Sequence, residues 1–187
     1  DADATAGRVQ AAGGAVVMAP IDVMDAGRMA IFQDREGAFF SVWQAGTHPG
    51  AGLVNEPGAL AWNELDTRNA DEAKAFYGAV FGWTFEDWTA FAGSPYLGCV
   101  TGPADAMGIN GAIMQANGPL GGPGAPVNGA VLTMGVGDYD ETHAKILAAG
   151  GQVALPKMAL TGMAWQGYYL DTEGNVFGIH QPDPEAK

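Results

Sequence analysis

The chain has 187 residues, of which 48% are apolar and 16% charged, a globular composition with enough length for one large or two small domains. With 21 acidic against 8 basic residues, the formal charge is −13. That balance argues against nucleic acid or an anionic membrane surface as a partner, because both are held largely by Lys and Arg. The sequence shows no apolar run near the roughly 20 residues needed to span a bilayer. The single cysteine, Cys99, excludes an intrachain disulfide and a cysteine-rich zinc site, and fits a reducing cytoplasm.

In chain order, the first segment already has a twin. Shifted by 137 positions, residues 1–44 fall on 138–181 without a gap. Asp1, Asp3 and Thr5 meet Asp138, Asp140 and Thr142, and Ala11-Ala12-Gly13-Gly14 meets Ala148-Ala149-Gly150-Gly151. Asp34, Glu36, Gly37, Phe40 and Gln44 meet Asp171, Glu173, Gly174, Phe177 and Gln181. A fainter repeat at 69 positions sets Asp71, Glu72, Ala79 and Gly82 on Asp140, Glu141, Ala148 and Gly151. A unit of about 137 residues therefore holds two modules of about 69.

Each module reads as strand, helix and three strands. Residues 1–44 are expected to form such a module without its first strand, the end of an upstream domain, followed by a Gly/Pro-rich linker over 45–58. A complete two-module domain is predicted over 59–181, with a tail at 182–187. Its middle module opens on a strand from Ala59 to Leu65. A helix from Asp71 to Phe81 follows, with Ala73, Phe76, Tyr77 and Val80 on one face. Strands are predicted near 84–89, 96–101 and 108–115, and a linker over 117–128. In the last module, residues 131–136 alternate as a strand, Asp138 and Asp140 offer helix caps, and Gly150-Gly151 stops the helix. Strands follow from Gln152 and Ala164, the latter joined to Val176–Gln181 by the turn Thr172-Glu173-Gly174-Asn175.

The helix motif Ala73-Lys74-Ala75-Phe76-Tyr77-Gly78-Ala79-Val80-Phe81-Gly82-Trp83 and the hairpin Asp171–Ile179 resemble the glyoxalase/bleomycin-resistance/extradiol-dioxygenase superfamily. So does the stretch Leu53–Leu65, which is similar to tandem glyoxalase-like proteins of actinobacterial type. The resemblance implies an α+β fold of repeated βαβββ modules, paired into a curled mixed sheet around a cleft. It also implies a divalent metal (Zn, Ni, Mn or Fe) held by His, Gln or Glu on the first and fourth strands of each module. Those positions fall on Trp62, Val131 and Gly178, with Ser41 in the partial module, and Gly108–Met114 offers no strong ligand. The expected metal ligands are therefore none.

Period-2 alternation sets Glu64 on the face of Trp62, Thr133 on that of Val131, and His180 on that of Gly178. Glu64 and His180 are the candidate catalytic pair. Trp62, Thr133, Trp165, Gly178 and either Tyr168 or Tyr169 are the candidate ligand-binding residues, aromatic walls suited to a planar compound. His143 and His48 are expected in solvent, Asp66 and Arg68 in a surface turn, and Cys99 in the core. The leading expectation is a cleft for a small organic molecule without the usual metal. The alternative is a metal-dependent lyase, isomerase or oxygenase related to lactoylglutathione lyase, and the third is a scaffold. Contact with an upstream module or a homodimer would cover the open sheet edge of residues 1–44.

Overall fold

The computed structural model describes residues 1–103, 108–116 and 129–187. The 104–107 segment and the predicted 117–128 linker lie outside them. The chain opens with α1 (Ala2–Ala11), β1 (Ala15–Val23), β2 (Gly27–Gln33) and β3 (Phe39–Ala45), then β4 (Leu60–Thr67) and α2 (Ala70–Phe81). Next come β5 (Thr84–Asp87), the one-turn α3 (Thr89–Ala92), β6 (Tyr96–Val100), β7 (Asn110–Gln115) and β8 (Gly129–Gly135). The last elements are α4 (Tyr139–Ala148), β9 (Gln152–Leu160), β10 (Ala164–Leu170) and β11 (Val176–Pro182).

The fold is α+β. Eight strands form an open mixed sheet in the order β5-β6-β7-β4-β8-β11-β10-β9, and β1-β2-β3 form a separate antiparallel sheet. The two modules of the large sheet meet where β4 runs antiparallel to β8, and each of these strands also pairs in parallel with the last strand of its own module. The first four elements and the last four share identical bounds once shifted by 137.

Local chemistry explains the helices. Asp1, Asn69 and Asp138 each cap a helix by accepting a backbone N–H three residues on. The helices end where Gly13, Gly82 and Gly150 take positive φ, a conformation costly for residues with a Cβ.

Helices α2 and α4 cover one face of the large sheet. Under α2 the main core joins both halves of the chain: Val9, Ala30 and Phe32 pack with Ala73, Phe76, Tyr77, Val80, Leu97 and Ile113. Polar contacts seal the joint. Arg8 Nε donates to the Val80 carbonyl at 2.6 Å, Thr67 Oγ1 to Glu36 at 2.6 Å, and the Tyr77 hydroxyl to Asp34 at 3.1 Å. Burial, helped by the Asp34 charge, pushes the Tyr77 phenol far above its ordinary range. A smaller core under α4 holds Tyr139, Tyr169 and Ile179.

Several expectations change here. Asp66 lies buried on β4 rather than in a turn, whereas Arg68 stands in the exposed bend expected for it and pairs with Glu36. His143 tucks its Nδ1 against the Tyr169 hydroxyl at 2.9 Å instead of standing in solvent. The predicted strand over 84–89 stops at Asp87, whose side chain accepts the Thr89 N–H as the chain turns into α3. The 182–187 tail is anchored, since Ala186 is 1% exposed and its carbonyl accepts the Gly162 N–H.

Candidate functional site: a buried carboxylate on the helix-free face

Among the described residues, the other face of the large sheet carries no long helix, only the one-turn α3 beside β6, and strand register decides what stands on it. Across β4, β8 and β11, Trp62 pairs with Thr133, Glu64 with Val131, and Thr133 with Gly178. On β10, Gln166 lies opposite His180 and Tyr168 opposite Gly178. On the other side, Ala112 is beside Glu64, and Gly98 and Tyr96 are beside Ala112 and Met114. Paired residues share a face. Trp62, Glu64, Thr133, Tyr168, Gly178 and His180, all expected together, are therefore brought together.

Glu64 is the centre. Only 5% exposed, it accepts a 2.5 Å hydrogen bond from the Tyr96 hydroxyl on one oxygen and a very short one from the Tyr168 hydroxyl on the other. Trp62 Nε1 donates in turn to the Tyr96 oxygen at 3.2 Å. On the far side, Gln166 hydrogen-bonds Tyr168, and its carbonyl oxygen lies 2.9 Å from His180 Nδ1. With the Nδ1–H tautomer, donors run from both ends of this chain toward one carboxylate. Burial, reinforced by the Glu64 charge, pushes both phenols well above the ordinary tyrosine range, so they stay protonated donors. Burial lowers the His180 pKa, favouring the neutral ring. Two hydrogen bonds leave the Glu64 carboxylate with acceptor capacity for a ligand's O–H or N–H.

An aromatic wall borders this carboxylate. Trp62 stacks on Trp88 at 6.1 Å, and Trp88 on Tyr96 at 6.2 Å. Gly98 makes the stack fit, since a Cβ there would meet the Trp88 ring at 2.7 Å. Thr133, fully buried, leaves its hydroxyl without a hydrogen-bond partner among the described residues, and a Cβ on Gly178 would collide with that oxygen.

Trp165 is a correction. One residue before Gln166, it faces α4, packs in the smaller core and donates to Asp183 at 2.9 Å, with Lys157 over its ring. Tyr169 shares that face, so of the two tyrosines it is Tyr168 that joins Glu64. Tyr96, Trp88 and Gln166 were missed. Alternation alone reaches Gln166 from Tyr168, but nothing in sequence places β6 across β7 from β4, where Tyr96 and Trp88 reach the Glu64 side.

The described residues do not by themselves make up a divalent-metal site. Both oxygens of Glu64 accept from phenols, and no group of three His, Cys, Asp or Glu gathers among the described residues. A metal of this kind takes three or more such ligands.

A separate cavity lies elsewhere among the described residues. About 450 Å³ in volume, it opens between β3, the start of α1 and the helix-covered face of the large sheet, against Phe39, Trp43, Asn63, Leu65, Trp83 and Ala130. Cys99 also borders it, and burial raises its thiol pKa to about 11, an inert core position.

No family model matches the chain. It is 39% identical over 185 residues to CFP32 of Mycobacterium tuberculosis, whose name places it among the glyoxylases, covering 99% of this chain and 67% of that protein. It is 37% identical over 179 residues to the anthracycline biosynthesis protein DnrV of Streptomyces peucetius, covering 96% of this chain and 62% of DnrV. Among solved structures, the Mn(II)-bound glyoxalase of Novosphingobium aromaticivorans superposes with a TM-score of 0.62 at 19% identity, covering 99% of this chain and 60% of that one. The 2,3-dioxygenase LapB of Pseudomonas also gives 0.62, at 13% identity, covering 100% and 68%. The chain thus spans about two thirds of these proteins. Its paired βαβββ modules and its identity to CFP32 agree: the chain belongs to the vicinal oxygen chelate superfamily of glyoxalases and extradiol dioxygenases.

Proposed function

We propose that the helix-free face of the large sheet binds a small planar organic molecule without a metal, with the ring stacked on the Trp62–Trp88 wall and a hydroxyl donated to Glu64. The observation that carries this reading is the carboxylate itself, buried at 5% exposure, oriented by Tyr96 and Tyr168, and bordered by stacked aromatics. Buried, such an acceptor rewards a donor-bearing ligand and rejects one that lacks it, since buried polar groups left unpaired are costly. DnrV, named for anthracycline biosynthesis, supports a polycyclic hydroxylated compound as the class to try first. His180, neutral and turned by Gln166, stands as a proton acceptor at the far end of the same chain. With a single free cysteine, the protein suits a reducing cytoplasm.

Titration of the protein with 1,4-dihydroxyanthraquinone, read by tryptophan quenching and thermal shift, tests this reading. Saturable binding that survives chelator, weakens at least tenfold in Glu64→Gln and in Trp62→Leu, and falls with 9,10-anthraquinone is expected. At 100 times the dissociation constant the ligand should stabilise the fold by about 2.7 kcal/mol. A stoichiometric Mn, Ni, Zn or Fe ion retained by the wild type and lost in Glu64→Ala would overturn the metal-free part and favour a metal-dependent lyase or oxygenase. The absence of a shift with hydroxylated or plain polycycles would overturn the ligand itself.

A further inference from the structure

Hydrogen-bond polarity on the Glu64 face can be followed from residue to residue, because each side chain in the row has a fixed number of hydrogens to give. Tyr168 has one, and it goes to Glu64. The Tyr168 oxygen can then only accept, so Gln166 must turn its amide NH2 toward it. That leaves the Gln166 carbonyl oxygen facing His180 Nδ1 at 2.9 Å, and a carbonyl has no hydrogen to offer. Nδ1 therefore carries the proton, and in a neutral imidazole the other nitrogen, Nε2, keeps a bare lone pair. Glu64 thus sets the tautomer of a histidine from two side chains away. The surroundings hold this polarity in place. Gln166 is buried, and Gly178 gives its amide room, since a Cβ there would stand 3.1 Å from Gln166 Nε2. His180 lies opposite Gln166, is half-buried, and makes no hydrogen bond through Nε2 to any described residue. The two ring nitrogens point to opposite sides of the imidazole, so Nε2 is turned away from Gln166.

We propose that His180 Nε2 is a second hydrogen-bond acceptor for the ligand, kept in that state by Tyr168 and Gln166 as positioning residues. The inference rests on the planar-ligand reading of this face and narrows its class. The compound is a ring system with a hydroxyl at each end, one given to Glu64 and the other to Nε2. A compound with a single hydroxyl leaves one of the two acceptors without a donor.

Ring-nitrogen NMR of the labelled protein tests the first half. The chain has three histidines, and His180→Asn identifies the signals of this one. At about pH 8, where an ordinary histidine is neutral, the wild type should show Nδ1 protonated and Nε2 bare, the reverse of the form free histidine prefers. Gln166→Leu and Tyr168→Phe should each return the ring toward the Nε2–H form. Titrations read by tryptophan quenching test the second half. The wild type should bind 2,6-dihydroxyanthraquinone about tenfold tighter than 2-hydroxyanthraquinone, the worth of one hydrogen bond. That preference should disappear in His180→Phe, and the dihydroxy compound should move the Nε2 signal of the wild type. A wild-type ring protonated at Nε2 would overturn the proposal even if both compounds bind. So would equal affinity for the two, or a preference that survives in His180→Phe, and the role of Glu64 would then stand alone. Binding of neither compound would sink the planar-ligand reading and the second anchor with it.

Discussion

Residues 1–44 and 138–181 are the same backbone put to different use. Both run helix and three strands with identical bounds at an offset of 137, and both tie the helix start to the last strand through a glutamine. On the helix-free face they diverge. Gln166, Tyr168, Gly178 and His180 of the last module correspond to Met29, Ile31, Ser41 and Trp43 of the first. The polar set orients Glu64, whereas the apolar set has no carboxylate to serve. A βαβββ frame therefore dictates where side chains point, and the chemistry is written at the few positions that share a face.

That contrast can be broken or sharpened by measurement. The largest effect is expected at the joint. Phe76→Ala should cost about 4 kcal/mol in urea denaturation, because it empties a core shared by both regions. One transition should carry the loss, and two separate transitions would show that the first region folds on its own. Next is Glu64→Ala, which removes the acceptor of two buried phenols and should cost about 3 kcal/mol, with Tyr168→Phe at about half that. No substitution on the Met29/Ile31 face should leave polar groups stranded in this way.

A smaller effect separates Gly178 from its counterpart. Gly178→Ser gives the last module the residue the first one has, yet the new Cβ meets the buried Thr133 oxygen, so a loss of about 2 kcal/mol is expected. The reverse change, Ser41→Gly, should cost under about 1 kcal/mol. Thermal melts of the two variants decide it. The smallest effect is with pH. Because burial depresses the His180 pKa, the unfolded chain binds its proton more readily than the folded one, and stability should fall as pH drops through about 6.5, the ordinary histidine value. A His180→Asn variant should flatten that slope relative to wild type, as measured by chemical denaturation at pH 5 and pH 8.

Much of this was readable from residues alone. The repeat was plain because caps, helix-stop glycines and the Asp–Glu–Gly turns recur at fixed spacing, each forced by backbone geometry. The face of Glu64 was readable by alternation, but the same rule was not carried to β10, where Trp165 and Tyr168 were grouped although an odd spacing puts them on opposite faces. Tyr96 and Trp88 were out of reach for another reason. Which strand lies beside which is settled by long-range pairing, and the sequence of β6 holds nothing that points to β4. The packing of α1 on α2 was equally silent, since two apolar helix stripes do not name each other.

The hairpin at Asp34–Gly37 has a consequence for how this gene can be rearranged. Its Glu36 accepts from Thr67 and from the backbone N–H of Arg68, where β4 hands over to α2, and β4 is the strand that carries Glu64. A crossover anywhere in the 45–58 connection would exchange one side of that clasp while keeping the other. Shuffling at the apparent seam between repeats would therefore cost the contacts that tie Glu36 to the end of β4.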